Sequence, residues 1–461
     1  MSEAGPSSSD SSASVPVARL VQGKVSQHLV RMTLPMIWAL IAVIGFNVAD
    51  TYFVAQLGTD ELAAISFTFP IVLVVISLSV GFGSGAASVV ARALGAGERG
   101  RAKQLTTAAL LLAALVGLGL MAFGLAISDP LFRLLGAEER LLPLIHDYID
   151  IWFVAIPFFL VPMCGNGCLR GAGDTRLPSM IMIFAALLNI VLNPLLIFGL
   201  WGFPRMEMEG AAVATLIARA AALAASISVL HFRERMIAWR LPALPTLLGC
   251  WAAVIHVGIP SAGTQMIKPI GLAVATALVA SFGSVAVAGF GVATRLEAFF
   301  FVPIFALASV IGPVVGQNGG AGRYDRVAEA MRFSYLLCAI FGGGAALALA
   351  LGGPFFAGLF NENPEVIEAA ALYLWIVPVT YFFEGVVQNV TGAFNGLGKP
   401  GPAILIAGAK VFALYLPLAW LGEQVFGLTG IFAAAAIANL IGAAAAWWWM
   451  KRYCEARRSA G

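Results

Sequence analysis

Long runs of apolar residues, separated by short polar segments, cover most of this chain. A helix needs about 20 apolar residues to cross a bilayer, and helices are favoured there because they satisfy their own backbone hydrogen bonds. The pattern predicts twelve membrane-spanning helices, at about 33–57, 62–90, 102–127, 141–163, 177–200, 207–231, 251–280, 284–314, 327–352, 366–395, 401–424 and 427–450. Several of these stretches exceed the minimum, so tilted or bent helices are expected.

The composition agrees with this pattern. Of the 461 residues, 60% are hydrophobic and only 11% are charged, whereas about 25% of the residues of a soluble protein are charged. The chain is therefore predicted to be an all-α, polytopic membrane protein without a soluble domain. Residues 1–24 are predicted to form a disordered cytoplasmic tail, because the segment is rich in serine and lacks the apolar core of a signal peptide.

The cations indicate how the helices are oriented. With the N-terminus inside, the outer loops contain only Arg133, Arg140 and Arg205, and the other loop cations fall on the inner side. Lys and Arg are concentrated on the cytoplasmic side of membrane proteins. Both termini, including a C-terminal tail at 453–461, are therefore predicted to be cytoplasmic, which requires an even number of spans.

The two halves of the chain repeat one another at a constant offset. Pro35 corresponds to Pro260, and the Gly-Ala-Gly run that begins at Gly95 corresponds to the one that begins at Gly320. Internal repeats are typical of secondary transporters. We predict two six-helix lobes, 25–235 and 236–452, related by a pseudo-twofold axis along the membrane normal, because an even number of spans in each half makes the halves parallel.

One acid lies inside the first predicted helix. Asp50 is the only charged residue between positions 33 and 57, and Asn47 lies three residues earlier on the same helical face. A carboxylate at bilayer depth is costly, so Asp50 is predicted to bind a proton or a metal cation. The alternative is an acid that reaches the helix end or is satisfied by a neighbouring helix. The equivalent residue of the second half is Ala275, so the acid site belongs to the first lobe alone.

Two amides of the fifth predicted helix are candidates for the same site. Asn189 and Asn193 lie four residues apart, and hence on one helical face. Amides at this depth can share a cation or hydrogen-bond a protonated carboxyl, but they can equally serve only to bind neighbouring helices together. Both interpretations are open at this stage.

The second half carries charges of its own within predicted helices. Lys268, Glu297 and Glu384 each lie in a different helix, and Gln388 follows Glu384 by one helical turn. An unpaired buried charge is far more costly than a paired one, so we expect Lys268 to pair with Glu384 or Glu297. Such a pair is either structural or a second ion-linked site.

The sequence resembles the multidrug and toxic compound extrusion (MATE) family over residues 25 to 452. The resemblance is carried by VADTYFVAQLGTDELAAISFTFPI at 48–71, LRGAGDTRLP at 169–178 and NIVLNPLLIFG at 189–199. It implies two lobes around a central cavity that opens alternately to the two sides, and export driven by inward flow of H⁺ or Na⁺.

The resemblance also implies roles for individual residues. Asp50 occupies the position of the first-helix acid of the family, Asn189 matches an asparagine of its cation site, and Asn193 resembles that of the NorM-like branch. Glu384 stands at the tenth-helix acid of that branch. Lys268 departs from it, since it stands where the branch has a glutamate. This argues against a sodium site in the second lobe and could neutralise Glu384 internally.

The predicted function is a cation-coupled antiporter of the bacterial inner membrane that exports organic cations, drugs or amphiphilic metabolites. H⁺ is favoured over Na⁺, because one carboxylate among amides offers a sodium ion only one charged ligand, whereas it is sufficient to carry a proton. The alternatives are a flippase for a lipid-linked precursor and a membrane-embedded enzyme, but the clustered acids that such an enzyme needs are missing from the sequence. We expect a monomer that is not an enzyme, holds no cofactor besides the coupling ion and binds no nucleic acid.

Overall fold

The computed structural model describes residues 18–238 and 242–459, and all regular secondary structure within these ranges is helical. The described part of the first half contains α1 (Val25–Ala55), α2 (Thr59–Gly95), α3 (Arg99–Leu134), α4 (Leu142–Val154), α5 (Ile156–Gly171), α6 (Arg176–Phe198) and α7 (Glu207–Ser228). The second half contains α8 (Leu244–Ala280), α9 (Ser284–Phe300), α10 (Val302–Gly320), α11 (Tyr324–Gly358), α12 (Pro364–Ile376), α13 (Tyr381–Gly396), α14 (Pro400–Gly408) and α15 (Leu416–Arg458). The remaining helical turns are of the 3₁₀ type at Leu200–Gly202 and Pro378–Thr380 and of the π type at Val229–Arg233 and Ala409–Tyr415.

Ten helical segments in the described part of the chain are long and apolar enough to cross a membrane, and the bent pair α4–α5 adds an eleventh. This pair bends by 42° at its break. Pro157 lies at the start of α5, where a proline removes no helical hydrogen bond. A break followed by a proline also separates α9 from α10, where Pro303 begins the new helix.

The segment Pro400–Arg458 is the longest of these, with 59 residues. Gly427 has a non-helical backbone, with φ 60° and ψ −138°, which glycine adopts without steric cost. A Cβ atom on Gly422 would lie 2.5 Å from the carbonyl oxygen of Gly430, whereas eight residues of straight helix are about 12 Å long. The chain therefore turns back at Gly427, and the prediction of twelve spans is confirmed.

The predicted repeat is visible in the helix bounds. α5 and α13 both contain 16 residues, and they begin at the equivalent residues Ile156 and Tyr381. α1 and α8 end at the equivalent residues Ala55 and Ala280. The halves differ where α2 runs unbroken while its counterpart is divided into α9 and α10, because only the second half has a proline, Pro303, at that place.

The two lobes meet toward the face of the molecule at which α1 begins and α15 ends, which we call the terminal face. α2 and α8 cross in backbone contact, so that a Cβ on Gly81 would lie 2.5 Å from the carbonyl oxygen of Gly258. Nearer the terminal face, Nε2 of Gln317 donates a hydrogen bond to the carbonyl of Gly171 at 2.7 Å. All hydrogen bonds that join the lobes in the described residues lie on this side.

Toward the opposite face the lobes separate. Val48 and Tyr52 on the C-terminal half of α1 are 64% and 61% exposed. Leu272 and Val274 on the equivalent half of α8 are exposed as well. Among the described residues, the hydrogen bonds between the lobes are thus confined to the side of the terminal face.

Residues 18–24 pack across the terminal face, so part of the predicted disordered tail is ordered. Leu20 is buried, and its N–H donates to Oε1 of Gln317 at 3.0 Å. Arg19 pairs with Asp174 and Glu234 of the first lobe. The prediction of disorder over 1–24 is thus wrong for its last seven residues, because they bridge both lobes, and residues 1–17 lie outside the described residues.

The other predicted boundaries are also shifted. α15 continues to Arg458, so the predicted tail 453–461 is helical over most of its length, and residues 460–461 lie outside the described residues. The predicted lobe boundary at 235/236 falls in the link before α8, of which residues 239–241 are not described.

Replacing Gly81 by leucine should force α2 away from α8, because even a Cβ at this position would overlap the Gly258 carbonyl. Overpacking of this kind costs about 1–3 kcal/mol, so we expect a lower melting temperature of the detergent-solubilised protein in a thermal unfolding assay. Gly343→Leu is the control, since a Cβ at Gly343 meets nothing within 4 Å. Equal melting temperatures for the two variants would contradict the close contact.

Candidate functional site

Asp50 lies five residues before the end of α1, and its side chain turns into the first lobe. Its Oδ1 accepts a hydrogen bond from Nδ2 of Asn193 at 2.9 Å. Asn193 lies on α6 and is fully buried. The carboxylate is therefore held inside the lobe by a neighbouring helix instead of reaching the lipid headgroups.

A ladder of polar side chains continues from this contact. Nδ2 of Asn193 also donates to Oδ1 of Asn189 at 3.0 Å, and Nδ2 of Asn189 donates to the hydroxyl of Thr215 on α7 at 3.1 Å. The spacing of four residues places both amides on the face of α6 that meets α1 and α7. The structure thus brings Asp50, Asn189 and Asn193 into one hydrogen-bonded cluster, and their role in ion coupling stays a prediction.

The amide of Asn193 has a hydrogen-bonding group for each protonation state of Asp50. Its NH₂ group donates to the carboxylate, while its Oδ1 is buried and has no hydrogen-bond partner among the described residues. A protonated carboxyl carries an O–H donor. Rotation of the amide by half a turn would present Oδ1 to that donor and give up the hydrogen bond from Nδ2 to Asn189, so a proton on Asp50 has an acceptor within reach at the cost of one neighbouring hydrogen bond.

Asn47 is the predicted site residue that lies outside this cluster. It is exposed, and within the described part of the chain its side chain makes no hydrogen bond; only its carbonyl accepts one, from Thr51. Residues three apart on a helix differ by about 60° in direction. Asn47 therefore lies on the same side of α1 as Asp50, but its side chain is exposed and takes no part in the cluster.

Arg219 of α7 lies in the same lobe and was not among the predicted site residues. Its guanidinium carbon is 4.8 Å from the ring centroid of Trp152 and 4.4 Å from that of Phe159. Arg219 interacts electrostatically with Asp50, but no ion pair joins them in the described residues. One feature of the sequence could have identified Arg219 as a candidate: it is the only charged residue between positions 210 and 230.

In the second lobe Lys268 is paired with Glu297, one of its two predicted partners. Nζ of Lys268 lies 3.0 Å from Oε1 of Glu297, and the hydroxyl of Tyr373 donates to the other carboxylate oxygen. The ammonium also lies 5.2 and 5.3 Å from the ring centroids of Phe301 and Phe305. The Lys268 side chain is still 47% exposed, whereas that of Glu297 is 14% exposed.

Glu384 has a different partner from the one expected. Its carboxylate forms a buried ion pair with Lys410, and Nε2 of Gln388 donates to its Oε1 at 3.0 Å. Lys410 also donates to Oδ1 of Asn439 at 3.3 Å, and Asn439 donates to Thr380 at 3.0 Å. The second lobe therefore neutralises both of its buried acids internally.

The two lobes thus differ in the chemistry that they offer. Glu297 and Glu384 each have a lysine as a direct ionic partner. Asp50 has only amides in contact, and its counterpart in the repeat, Ala275, is a buried apolar residue. Asp50 is therefore the buried acid whose charge can change without breaking an ion pair.

Comparison with known proteins agrees with this architecture. The MatE family model matches residues 35–195 and 260–421, two segments that begin at the equivalent residues Pro35 and Pro260. The FAD transporter of Shewanella oneidensis is 38% identical over 436 residues, which cover 95% of this chain and 96% of that protein. The probable multidrug resistance protein NorM of Thermotoga maritima is 26% identical over 421 residues, covering 91% of this chain and 90% of that protein.

A solved structure shows the same fold. The crystal structure of the Vibrio cholerae MATE transporter VcmN in the bent form superimposes with a TM-score of 0.88 at 29% sequence identity, and it covers 94% of this chain and 98% of that one. Together with the two matched repeats, this similarity removes the alternative of a membrane-embedded enzyme. The chain belongs to the multidrug and toxic compound extrusion family of membrane transporters.

Proposed function

We propose that the protein is a proton-coupled antiporter in which Asp50 carries the coupling proton. The observation that carries this proposal is the contact between Asp50 and Asn193, whose amide offers a donor to the carboxylate and an unpaired acceptor to the protonated acid. Both states of the acid are then hydrogen-bonded inside the lobe. Protonation removes a buried charge, which is worth several kcal/mol and is enough to bias two conformations.

The same contact favours H⁺ over Na⁺ as the coupling ion. A sodium ion is held by several oxygen atoms at once, but even after rotation of its amide Asn193 would add only one oxygen to the Asp50 carboxylate. Asn189 already uses its oxygen to accept from Asn193 and its NH₂ group to donate to Thr215. The carboxylate of Asp50 would therefore be nearly alone in binding the metal ion.

The closed terminal face suggests how a proton would be used. With both termini in the cytoplasm, as the distribution of cations predicts, the open face is the outer one. Asp50 lies near the outer end of α1 and takes up a proton from that side. Loss of its charge changes how α1 packs on α6, so that substrate leaves through the open outer face. The lobes then close outside and open inside, where the proton is released.

Transport by the purified protein in liposomes tests this function. Liposomes are given a pH gradient at equal sodium, or a sodium gradient at equal pH, and the gradient-driven movement of ethidium is measured. We expect saturable transport with the pH gradient and background with the sodium gradient. Transport driven only by sodium would overturn the choice of ion, and a conductance independent of both gradients would indicate a channel.

The substrate class that the charges favour is an aromatic anion, which is narrower than the cations and amphiphiles predicted from the sequence. Glu297 and Glu384 of the second lobe are each paired with a lysine, so neither offers an unpaired carboxylate to an organic cation. Lys268 is half-exposed beside the rings of Phe301 and Phe305. A flavin dinucleotide, the substrate in the name of the Shewanella oneidensis relative, offers both aromatic rings and phosphates.

Replacing Lys268 by glutamine should therefore impair transport of FAD more than transport of ethidium. A charge-assisted hydrogen bond contributes about 1.5–3 kcal/mol, so the rate at low FAD concentration should fall at least about tenfold. The measurement is FAD fluorescence in proteoliposomes under a pH gradient, with Lys451→Gln at the terminal face as the matched control. Transport of ethidium but not FAD by the wild-type protein would contradict the anionic substrate class.

A further inference from the structure

Residues 18–23 precede α1 and lie across the terminal face, and we call them the N-terminal strap. The strap contains no regular helix and lies outside the predicted lobes 25–235 and 236–452. Segments without regular structure usually run over the surface, yet Leu20 of the strap is only 1% exposed. The strap is therefore held by specific contacts with the rest of the molecule.

The backbone of the strap is bound to the second lobe. The N–H of Leu20 donates to Oε1 of Gln317 at 3.0 Å, and the carbonyl of Leu20 accepts from Nδ2 of Asn318 at 3.1 Å. Nη2 of Arg326 donates to the carbonyl of Gly23 at 2.9 Å. Gln317 and Asn318 are fully buried near the end of α10. Departure of the strap would remove hydrogen bonds from these buried amides, which is costly.

The side chains of the strap contact the first lobe. The guanidinium of Arg19 lies 3.2 Å from Oε2 of Glu234 and 3.9 Å from Oδ2 of Asp174. Asp174 lies between α5 and α6, and Glu234 follows the π-helical turn after α7. Leu20 lies against Gly173, where a Cβ atom would be 3.1 Å from Cγ of Leu20. The strap thus joins two connections of the first lobe to α10 and α11 of the second.

Direct hydrogen bonds between the lobes lie on the same side of the molecule. Nε2 of Gln317 donates to the carbonyl of Gly171 at 2.7 Å, and the hydroxyl of Ser88 donates to the carbonyl of Asn395 at 2.6 Å. These bonds break whenever the lobes separate at the terminal face. A strap that is bound to both lobes adds its ionic and apolar contacts to those that must break.

We propose that the N-terminal strap is a conformational device that holds the two lobes together at the terminal face, and that its release from the first lobe is a step in the opening of that face. The inference rests on the alternate opening proposed above, but not on the identity of the coupling ion. In this scheme Arg19 and Leu20 set how much of the protein is open at the terminal face at equilibrium.

The contacts of the strap with the first lobe are the weaker ones. The Arg19 side chain is 50% exposed, and ion pairs of exposed side chains contribute little. On the other side, Val25 and Leu29 at the start of α1 belong to the same buried apolar cluster as residues of α10 and α11. The strap therefore stays on the second lobe when the first lobe moves away.

The distance between the lobes at the terminal face tests the proposal. Spin labels are placed at Gly100→Cys on α3 and Gly401→Cys on α14, because a Cβ at either position meets nothing within 4 Å and the five native cysteines are buried. Double electron–electron resonance in nanodiscs at fixed pH gives the ratio of separated to closed molecules. We expect Arg19→Gln to raise this ratio about fivefold and Leu20→Ala at least about tenfold.

The controls distinguish a bridge between the lobes from a general effect of charge. Lys24→Gln removes an exposed cation next to the strap that forms no ion pair in the described residues, and Arg101→Gln breaks a pair with Glu98 within the first lobe. Both variants should keep the wild-type ratio. Arg19→Glu alone should raise the ratio more than Arg19→Gln, and adding Glu234→Arg should return it toward the wild-type value.

The outcomes separate this inference from the proposed function. If folded Arg19→Gln and Leu20→Ala keep the wild-type ratio, or if Lys24→Gln raises it equally, the strap does not hold the lobes together. The measurement uses no ion gradient and leaves Asp50 unchanged, so that result would leave the proton coupling standing. Transport driven only by sodium would overturn the proton coupling and leave the role of the strap standing.

Discussion

Replacing Asp50 by asparagine is expected to reduce gradient-driven transport to the background of empty liposomes. The amide has the shape of the carboxyl but cannot take up or release a proton at physiological pH. It can keep the contact with Asn193, because its own Oδ1 accepts from the NH₂ group that now binds the carboxylate. The substitution therefore removes the chemistry and preserves the packing.

Stability provides the control for this experiment. The asparagine variant loses a half-buried charge that has no ionic partner, so its melting temperature should equal or slightly exceed that of the wild type. Asp147→Asn changes a second acid, near the start of α4 at the same end of the lobe, and should leave transport intact. A fully active Asp50→Asn protein would remove Asp50 from the mechanism.

Breaking the ion pair between Glu384 and Lys410 is expected to have the largest effect on stability. The Lys410→Met variant leaves the Glu384 carboxylate buried, with only Gln388 to donate to it. Loss of one partner of a buried pair costs about 3–5 kcal/mol. The melting temperature and the yield of solubilised protein should both fall sharply.

The double variant Glu384→Gln with Lys410→Met should regain most of this loss, because replacing both partners of a buried pair is often neutral. Its transport activity then distinguishes the two interpretations of the second lobe. A stable double variant with normal pH-driven transport shows that the pair is structural. A stable double variant without transport shows that Glu384 belongs to a second ion-linked site.

The difference between the lobes explains why these two substitutions act on different properties. In the first lobe the acid contacts amides, so its charge can change while the packing is kept. In the second lobe each acid contacts a lysine, so a change of charge disturbs the packing itself. The first lobe can therefore change its charge during transport, whereas the ion pairs of the second lobe stabilise its packing.

Much of the fold could be predicted from the sequence. The length of the apolar runs determined the number of spans, because a helix must bury its own backbone hydrogen bonds to cross a bilayer. The constant offset between Pro35 and Pro260 determined the two-lobe architecture, and the turn at Gly427 agrees with it. The spacing of Asn189 and Asn193 determined that both amides would lie on one face of α6.

Other features could not be predicted, because they depend on how helices are rotated and packed against one another. Lys410 lies in the π-helical turn Ala409–Tyr415, where the regular period of 3.6 residues no longer gives the direction of a side chain. Its pairing with Glu384 was therefore missed, although the pairing of Lys268 with Glu297 was among those expected.

By itself the sequence determined which residues are apolar, how many helices cross the membrane and that one lobe alone carries Asp50. Only the tertiary structure decided which groups surround that acid: Asn193 is in contact with it, Arg219 lies at a distance, and Asn47 is exposed and makes no side-chain hydrogen bond in the described residues. The reason is physical. Burial of the backbone is a property of each helix separately, whereas the field at a buried carboxylate is the sum over side chains from several helices whose relative rotation is set by packing.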